Sequence, residues 1–284
     1  MELMKPELTG LSVLSAICAY FIALDGVVNL ATLLWLGVGT LLVGGGAGAL
    51  NEYFEREYDA HMRRTEKRPI PSGRIVPLAA LLFGNVISVA GLLILAFLVN
   101  LLTAFLAALT LATYLVLYTP LKRVTWWNTL VGAIPGALPT LIGWTAARNE
   151  INAGGWILFA ILFAWQIPHF LSLAWMYKKD YARAGFKMLP VVDDSGRKTS
   201  LHILLSTVFL ICLTVFVNWN GMAGLLYLAC AVLLGAGFLS YAFMFRRSTL
   251  ANLPSDANIY SRRVFFASLV YLPALMVALV ADKI

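Results

Sequence analysis

The chain has 284 residues, of which 61% are hydrophobic and only 12% are charged. With a mean hydropathy of +0.83 it carries more apolar surface than a water-soluble fold can bury, and ordinary soluble domains have about 25% charged residues. Lipid is therefore the solvent, which excludes a disordered chain, a nucleic-acid-binding module and a water-soluble enzyme. The net charge of +7 matters through its placement.

The apolar residues gather in blocks of about 20 rather than in alternating stretches of about ten, which predicts helices and not an outer-membrane barrel. Nine segments are expected, at 8–24, 29–50, 77–99, 101–119, 127–147, 153–176, 200–217, 222–245 and 264–281. Most are long enough to cross about 30 Å of hydrocarbon. Residues 1–284 thus read as one all-α polytopic membrane bundle of nine transmembrane helices without a soluble domain. The opening MELMKPELTG has neither a signal-peptide cleavage site nor an Arg-rich transit composition, so the first segment is expected to remain a span. Cys18, Cys212 and Cys230 lie inside apolar segments without metal-ligand spacing and read as small core residues.

With the N-terminus inside, all but two of the 21 Lys and Arg fall on one face, leaving Arg148 and Lys283 on the other. The positive-inside rule then predicts a cytoplasmic N-terminus and an outer C-terminus. The two longest polar loops, 51–76 and 177–199, lie on the cytoplasmic side.

The first loop continues the second apolar block. If that helix runs on, Asn51, Glu55 and Asp59 drift by only about 80° and form one stripe of oxygen ligands, with Glu52 beside it. Mg²⁺ takes one or two carboxylates and completes its shell with water and phosphate oxygens. Arg63, Arg64, Lys67 and Arg68 follow closely. An acidic stripe beside a basic cluster suits a magnesium–diphosphate ligand. A topological loop with ordinary ion pairs is the competing reading. It accounts for the basic residues but not for the carboxylates, which do little for orientation. Gly44, Gly45, Gly46 and Gly48 read as close helix packing.

Further along, Lys122 and Arg123 occupy a short cytoplasmic turn. Asn128 opens the next span, which contains Pro135 and Pro139 and is expected to be broken or closely packed. Trp165, Gln166 and His169 then sit inside an apolar segment, where polar groups are functional candidates by default. The competing readings are a satisfied inter-helix hydrogen bond for His169 and packing for Trp165 and Trp175. His169 and Asp180 share a face if the helix is unbroken, with Pro168 kinking it locally. Lys178 and Lys179 serve topology as well as they serve a ligand. A polar linker is expected at 248–258.

These elements resemble the UbiA-type membrane prenyltransferases and, within them, the heme O synthase (protoheme IX farnesyltransferase) family. The likeness covers nearly the whole chain. It runs from KPELTGLSVLSAICAYFIA through the N-E-x-x-E-x-x-x-D pattern that starts at Asn51 and MRRTEKRPIPSGRI. It continues through YTPLKR, GAIPGALPTLIGW, WQIPHF and KDYARAGFKMLPVV to SRRVFFASLVYLPALMVALV. The resemblance implies the UbiA-type fold and transfer of a farnesyl group from farnesyl diphosphate to a vinyl group of heme b, with water addition and Mg²⁺ as cofactor. It implies metal ligation and catalysis by Asn51, Glu55, Asp59 and Asp180. It further implies diphosphate contacts from Arg63, Arg64, Arg68, Lys122, Arg123 and Lys179, and heme contacts from His169 and Trp165. His61 is a second candidate toward heme, and His202 reads as a cap at the start of a helix.

Two departures from the family pattern stand out. Glu52 and Glu55 replace aspartates of the first motif, and only Asp180 remains of the second, with Met176 and Ala184 at the flanking positions. The expected setting is the plasma membrane, with the lipid bilayer as surroundings, no nucleic acid, and a heme A synthase or oxidase-assembly protein as partner. The alternatives are a UbiA-type enzyme with an aromatic or quinone-precursor acceptor, a heme-binding assembly protein, and a transporter. Against the last, the two halves show no inverted repeat of charged positions.

Overall fold

A computed structural model describes residues 2–284. A 3₁₀ turn, Glu2–Met4, leads into α1 (Pro6–Ala23), α2 (Leu30–Asp59) and α3 (Pro77–Leu98). Then come α4 (Leu101–Ala112), a π-helical stretch over Thr113–Tyr118, and α5 (Thr119–Val124). The chain continues with α6 (Asn128–Arg148), α7 (Ala153–Met176), α8 (Lys178–Arg183) and α9 (Leu189–Val192). It ends with α10 (Arg197–Trp219), α11 (Leu225–Leu250) and α12 (Pro254–Ala281). Among the described residues nine helices are long and apolar enough to cross a membrane, counting Leu101–Val124 as one.

Three spans start at an asparagine that caps them. Asn29 accepts from the Thr32 backbone N–H, Asn100 from Thr103 and Asn152 from Gly154, each relieving one orphan donor of a helix start. With no proline to stop it, α2 continues past its apolar block to Asp59, so the oxygen stripe is helical. Of the two readings of the span that Asn128 opens, the broken one is corrected: α6 is continuous through Pro135 and Pro139. Its glycines give the alternative, close packing. A Cβ on Gly143 would collide with the Ala16 carbonyl of α1, and one on Gly136 with the Gln166 side chain. The expected 248–258 linker is also corrected. α11 runs to Leu250 and α12 starts at Pro254, where a first-turn proline and Asp256 favour a helix start.

The innermost spans are α6 and α7. α7 packs against α6, α10 and α12, while α1 touches α2, α6 and α12 and so closes the ring. Lipid tails give helices no hydrophobic reason to associate, so small residues carry the contact. Gly39, Gly46, Gly84, Gly91 and Ser88 bring α2 and α3 together. On the face opposite the basic loops, the two isolated cations form a clasp. Arg148 donates to the Ala23 carbonyl at 2.7 Å and pairs with Asp25, while Lys283 donates to the carbonyls of Phe21 and Leu24. They cap the end of α1, which favours positive charge.

Candidate active site

Asn51, Glu52, Glu55 and Asp59 are all buried on the last turns of α2, and cations meet them from three other segments. Lys5, just before α1, donates from Nζ to Asn51 Oδ1 at 2.7 Å. Lys122 on α5 pairs with Glu55 Oε1 at 2.7 Å. Arg68, in the first loop, pairs with Asp59 Oδ2 at 2.7 Å and approaches Glu52 at 4.0 Å. Two carboxylate oxygens, Glu52 Oε2 and Asp59 Oδ1, are buried without a hydrogen-bond partner. Burial is the largest influence on Arg68 and pulls its pKa down, but the Asp59 carboxylate and its hydrogen bond outweigh that and hold it above the ordinary value. Burial lowers the Lys5 pKa, the Arg68 charge lowers it further, and Glu55 and Glu52 oppose the shift.

Lys122 reaches the stripe because of the π-helical stretch before it. Pro120 lacks an N–H and its ring crowds the preceding turn, so a wider turn accommodates it. The Thr119 N–H and hydroxyl both donate to the Tyr114 carbonyl, and the Thr119 hydroxyl accepts from Asn51 Nδ2 at 3.3 Å. Tyr114 and Tyr118 lie 5.5 Å apart between ring centroids, and the Lys122 ammonium sits 4.5 Å from the Tyr118 ring.

The second loop is strapped over this region. The Lys187 N–H donates to the Lys122 carbonyl at 2.7 Å, and Asn128 donates to the Lys187 carbonyl at 3.0 Å. Phe186 lies 5.9 Å from Tyr58 and 6.1 Å from Tyr181, in a small apolar cluster with Met62 of the first loop. Arg64 donates to the Tyr181 hydroxyl at 3.1 Å, and Arg123 to the Tyr58 hydroxyl at 2.6 Å. Of the six basic candidates, Arg68 and Lys122 therefore touch the stripe, whereas Arg64 and Arg123 rest on tyrosines that join the loops. Arg63 and Lys179 are exposed. Asp180 pairs with Arg183 on its own short helix, because the chain breaks at Tyr177, outside the helical region. His169 and Asp180 accordingly do not share one continuous helix.

Deeper in the bundle, Trp165 Nε1 donates to the Ser268 carbonyl at 2.8 Å and His169 Nδ1 bonds Ser268 Oγ at 2.8 Å. The imidazole lies between Trp165 and Phe265, at centroid distances of 4.7 and 4.9 Å. The Ser268 hydroxyl donates to the Phe265 carbonyl at 2.6 Å. It therefore accepts from Nδ1–H, leaving Nε2 as the lone-pair nitrogen. Gln166 donates to the carbonyls of Ala133 and Leu162. His61 is exposed, and His202 bonds the Lys198 carbonyl early in α10.

Sequence reasoning missed Lys5, Thr119 and the tyrosines Tyr58, Tyr114 and Tyr118. Lys5 carried one signal, as the single basic residue before the first span, and topology alone accounted for it. Among the described residues no three His, Cys, Asp or Glu side chains converge closely enough to hold a metal ion by themselves. The orphaned oxygens of Glu52 and Asp59 nonetheless fit a hard divalent cation that takes few protein ligands and fills its shell from phosphate.

A profile of the UbiA prenyltransferase family matches residues 12–278. The chain belongs to this family. It is 45% identical to a protoheme IX farnesyltransferase of Solibacter usitatus over 99% of this chain and 97% of the relative. Among solved structures, one described as digeranylgeranylglyceryl phosphate synthase superposes with a TM-score of 0.79 at 18% identity, covering 99% of this chain and 97% of that one. A UbiA homologue from Archaeoglobus fulgidus bound to GPP and Mg²⁺ superposes with a TM-score of 0.67 at 14% identity, covering 99% and 98%. These structural likenesses bear on the fold.

Proposed function

We propose that the protein transfers the farnesyl group of farnesyl diphosphate to a vinyl group of heme b, with addition of water, and so makes heme O. The observation that carries this reading is the full-length likeness to protoheme IX farnesyltransferases, at 45% identity. The buried stripe on α2 supports the place of the chemistry.

In this reading Asn51, Glu55 and Asp59 would hold Mg²⁺, with Glu52 beside them and Asp180 as the residue from the second loop. When bound, the ion supplies Lewis-acid assistance to the leaving diphosphate. Arg68 and Lys122 stabilise negative charge on the departing oxygens, with Arg63, Arg64, Arg123 and Lys179 as further cations at the rim. The allylic C–O bond breaks and its electron pair leaves with the diphosphate. The vinyl π electrons form the new C–C bond to farnesyl C1. Water adds to the resulting cation beside the porphyrin and loses a proton, so no redox step is needed. Apolar helices keep other water from the allylic cation. The lone-pair Nε2 of His169, beside Trp165, orients the porphyrin or contacts its iron. The protein sits in the plasma membrane, with the basic loops and the N-terminus on the cytoplasmic side and the C-terminus outside.

An acceptor competition tests the reading. Purified protein given farnesyl diphosphate and Mg²⁺ should prenylate heme b in the presence of an excess of an aromatic acid acceptor, and EDTA should abolish the reaction. Prenylation of the aromatic acid in preference to heme would sink the assignment.

A further inference from the structure

The segment ahead of α1 is built into the site in a way that helix packing does not explain. Lys5 is the residue that caps α1, a position where Ser, Thr, Asp or Asn in an extended conformation is usual. Here a lysine stands at φ 47° and ψ 62°, in the left-handed region. The following Pro6 disfavours this further, because a residue before proline is pushed toward extended conformations. Such strain persists only where the surroundings impose it.

Those surroundings are specific. Leu3 is buried with Ala49, Ile70 and Ala80. Met4 lies over Gly45, where a Cβ would come within 2.5 Å of its methyl carbon, and the Leu3 carbonyl lies over Gly48. The Met4 carbonyl accepts from Thr9 Oγ1 at 2.6 Å, and Glu2 pairs with Arg74 at 2.7 Å. Gly45 and Gly48 thus form a cradle for residues 2–5 rather than a helix–helix contact. The outcome is a lysine Nζ placed 2.7 Å from the oxygen of Asn51, a residue assigned above to the metal. On the same helix lie the unpartnered, buried oxygens Glu52 Oε2 and Asp59 Oδ1.

We infer that Lys5 is the cation that holds the Asn51 end of the stripe and a ligand of the prenyl diphosphate. Without substrate its ammonium covers the Asn51 oxygen. With the metal–diphosphate bound, the ammonium moves to a diphosphate oxygen and leaves the Asn51 oxygen free, where it would serve the metal. This exchange rests on the reading of Asn51, Glu55 and Asp59 as the metal site. It couples metal binding to substrate, because the ion alone must displace a cation whereas the ion with diphosphate offers that cation a new partner.

The test uses the full-length protein in detergent with Mn²⁺ as the probe, free Mn²⁺ being read by electron paramagnetic resonance. Without diphosphate, Lys5→Met should bind Mn²⁺ about tenfold more tightly than the wild type, since a like charge has gone. With Mg²⁺ saturating, the same variant should raise KM for farnesyl diphosphate about tenfold, with kcat changed less, and Lys5→Arg should restore KM. Met4→Ala keeps Lys5 but loosens its cradle, and it should tighten Mn²⁺ in the same direction by a smaller factor. Unchanged or weaker Mn²⁺ binding in both Lys5→Met and Met4→Ala would overturn the exchange. An Asp59→Asn variant that binds Mn²⁺ like the wild type would instead remove the metal site itself, a separate failure.

Discussion

At the scale of single residues, the site is a set of carboxylates already matched with cations. Breaking a buried pair strands the remaining charge, which costs about 3–5 kcal/mol, whereas replacing both partners with apolar groups is often neutral. Glu55 and Lys122 have side chains only 6% and 12% exposed. Glu55→Gln should therefore lower thermal stability strongly. The double variant Glu55→Gln with Lys122→Met should recover most of that stability while remaining inactive. A double variant with restored turnover would mean that the pair only supports the fold. His169 allows a separate kinetic test. His169→Ala should raise KM for heme while leaving KM for farnesyl diphosphate unchanged, as steady-state assays with each substrate varied would show. Equal effects on both would place the histidine in general packing. The stripe itself was legible in the sequence because its carboxylates had no topological purpose. Lys5 was not, because every property of a basic residue ahead of a first span was already explained by orientation.

At the scale of elements, the spans were legible from apolar blocks, and their ends were not. The start of α12 lies ten residues ahead of its apolar block because its polar first turns find partners: Asn258 accepts from Trp175 of α7, and Ser261 donates to the Asn258 carbonyl within the helix. The separation of α7 from α8 was hidden because nothing in the composition around Tyr177 marks a stop, and that break decides where Asp180 lies. The π-helical stretch was equally hidden, since the sequence signalled only a turn at Lys122 and Arg123. It aims Tyr118, Thr119 and Lys122 together, so Pro120→Ala should let the segment tighten and shift those groups. Turnover should fall on the order of tenfold or more, since small misplacements cost heavily, while the melting temperature holds or rises; unchanged kcat would show that the π geometry is incidental. The contact of α1 with α6 depends on Gly143 lying under the Ala16 carbonyl. Backbone cannot yield as a side-chain tip can, so Gly143→Ala should destabilise the bundle by about 1–3 kcal/mol, measured by unfolding in mixed micelles. A variant as stable as the parent would show that the helices separate freely there.

At the scale of the whole molecule, charge asymmetry and site placement coincide. The face that carries most of the Lys and Arg is also the face where the stripe, Arg68, Lys122 and the second loop meet. The two cations on the other face, Arg148 and Lys283, are held by Asp25 and the carbonyls that end α1. A reporter phosphatase fused after Ile284 should be active only on the outer side of the membrane, and one fused within 177–199 should be inactive there. The reverse pattern would put the site on the outer face.

The central claim is that the oxygens of α2 grip a prenyl diphosphate whose isoprenoid goes to heme. Its most direct test is mass spectrometry of heme extracted from cells that lack their own farnesyltransferase and express either this chain or its Asp59→Asn variant. With the wild-type chain the porphyrin should gain the mass of one farnesyl group and one hydroxyl, and with the variant it should stay as heme b. Unmodified heme from a folded, membrane-inserted wild-type chain, or farnesylated heme from the variant, would contradict the account.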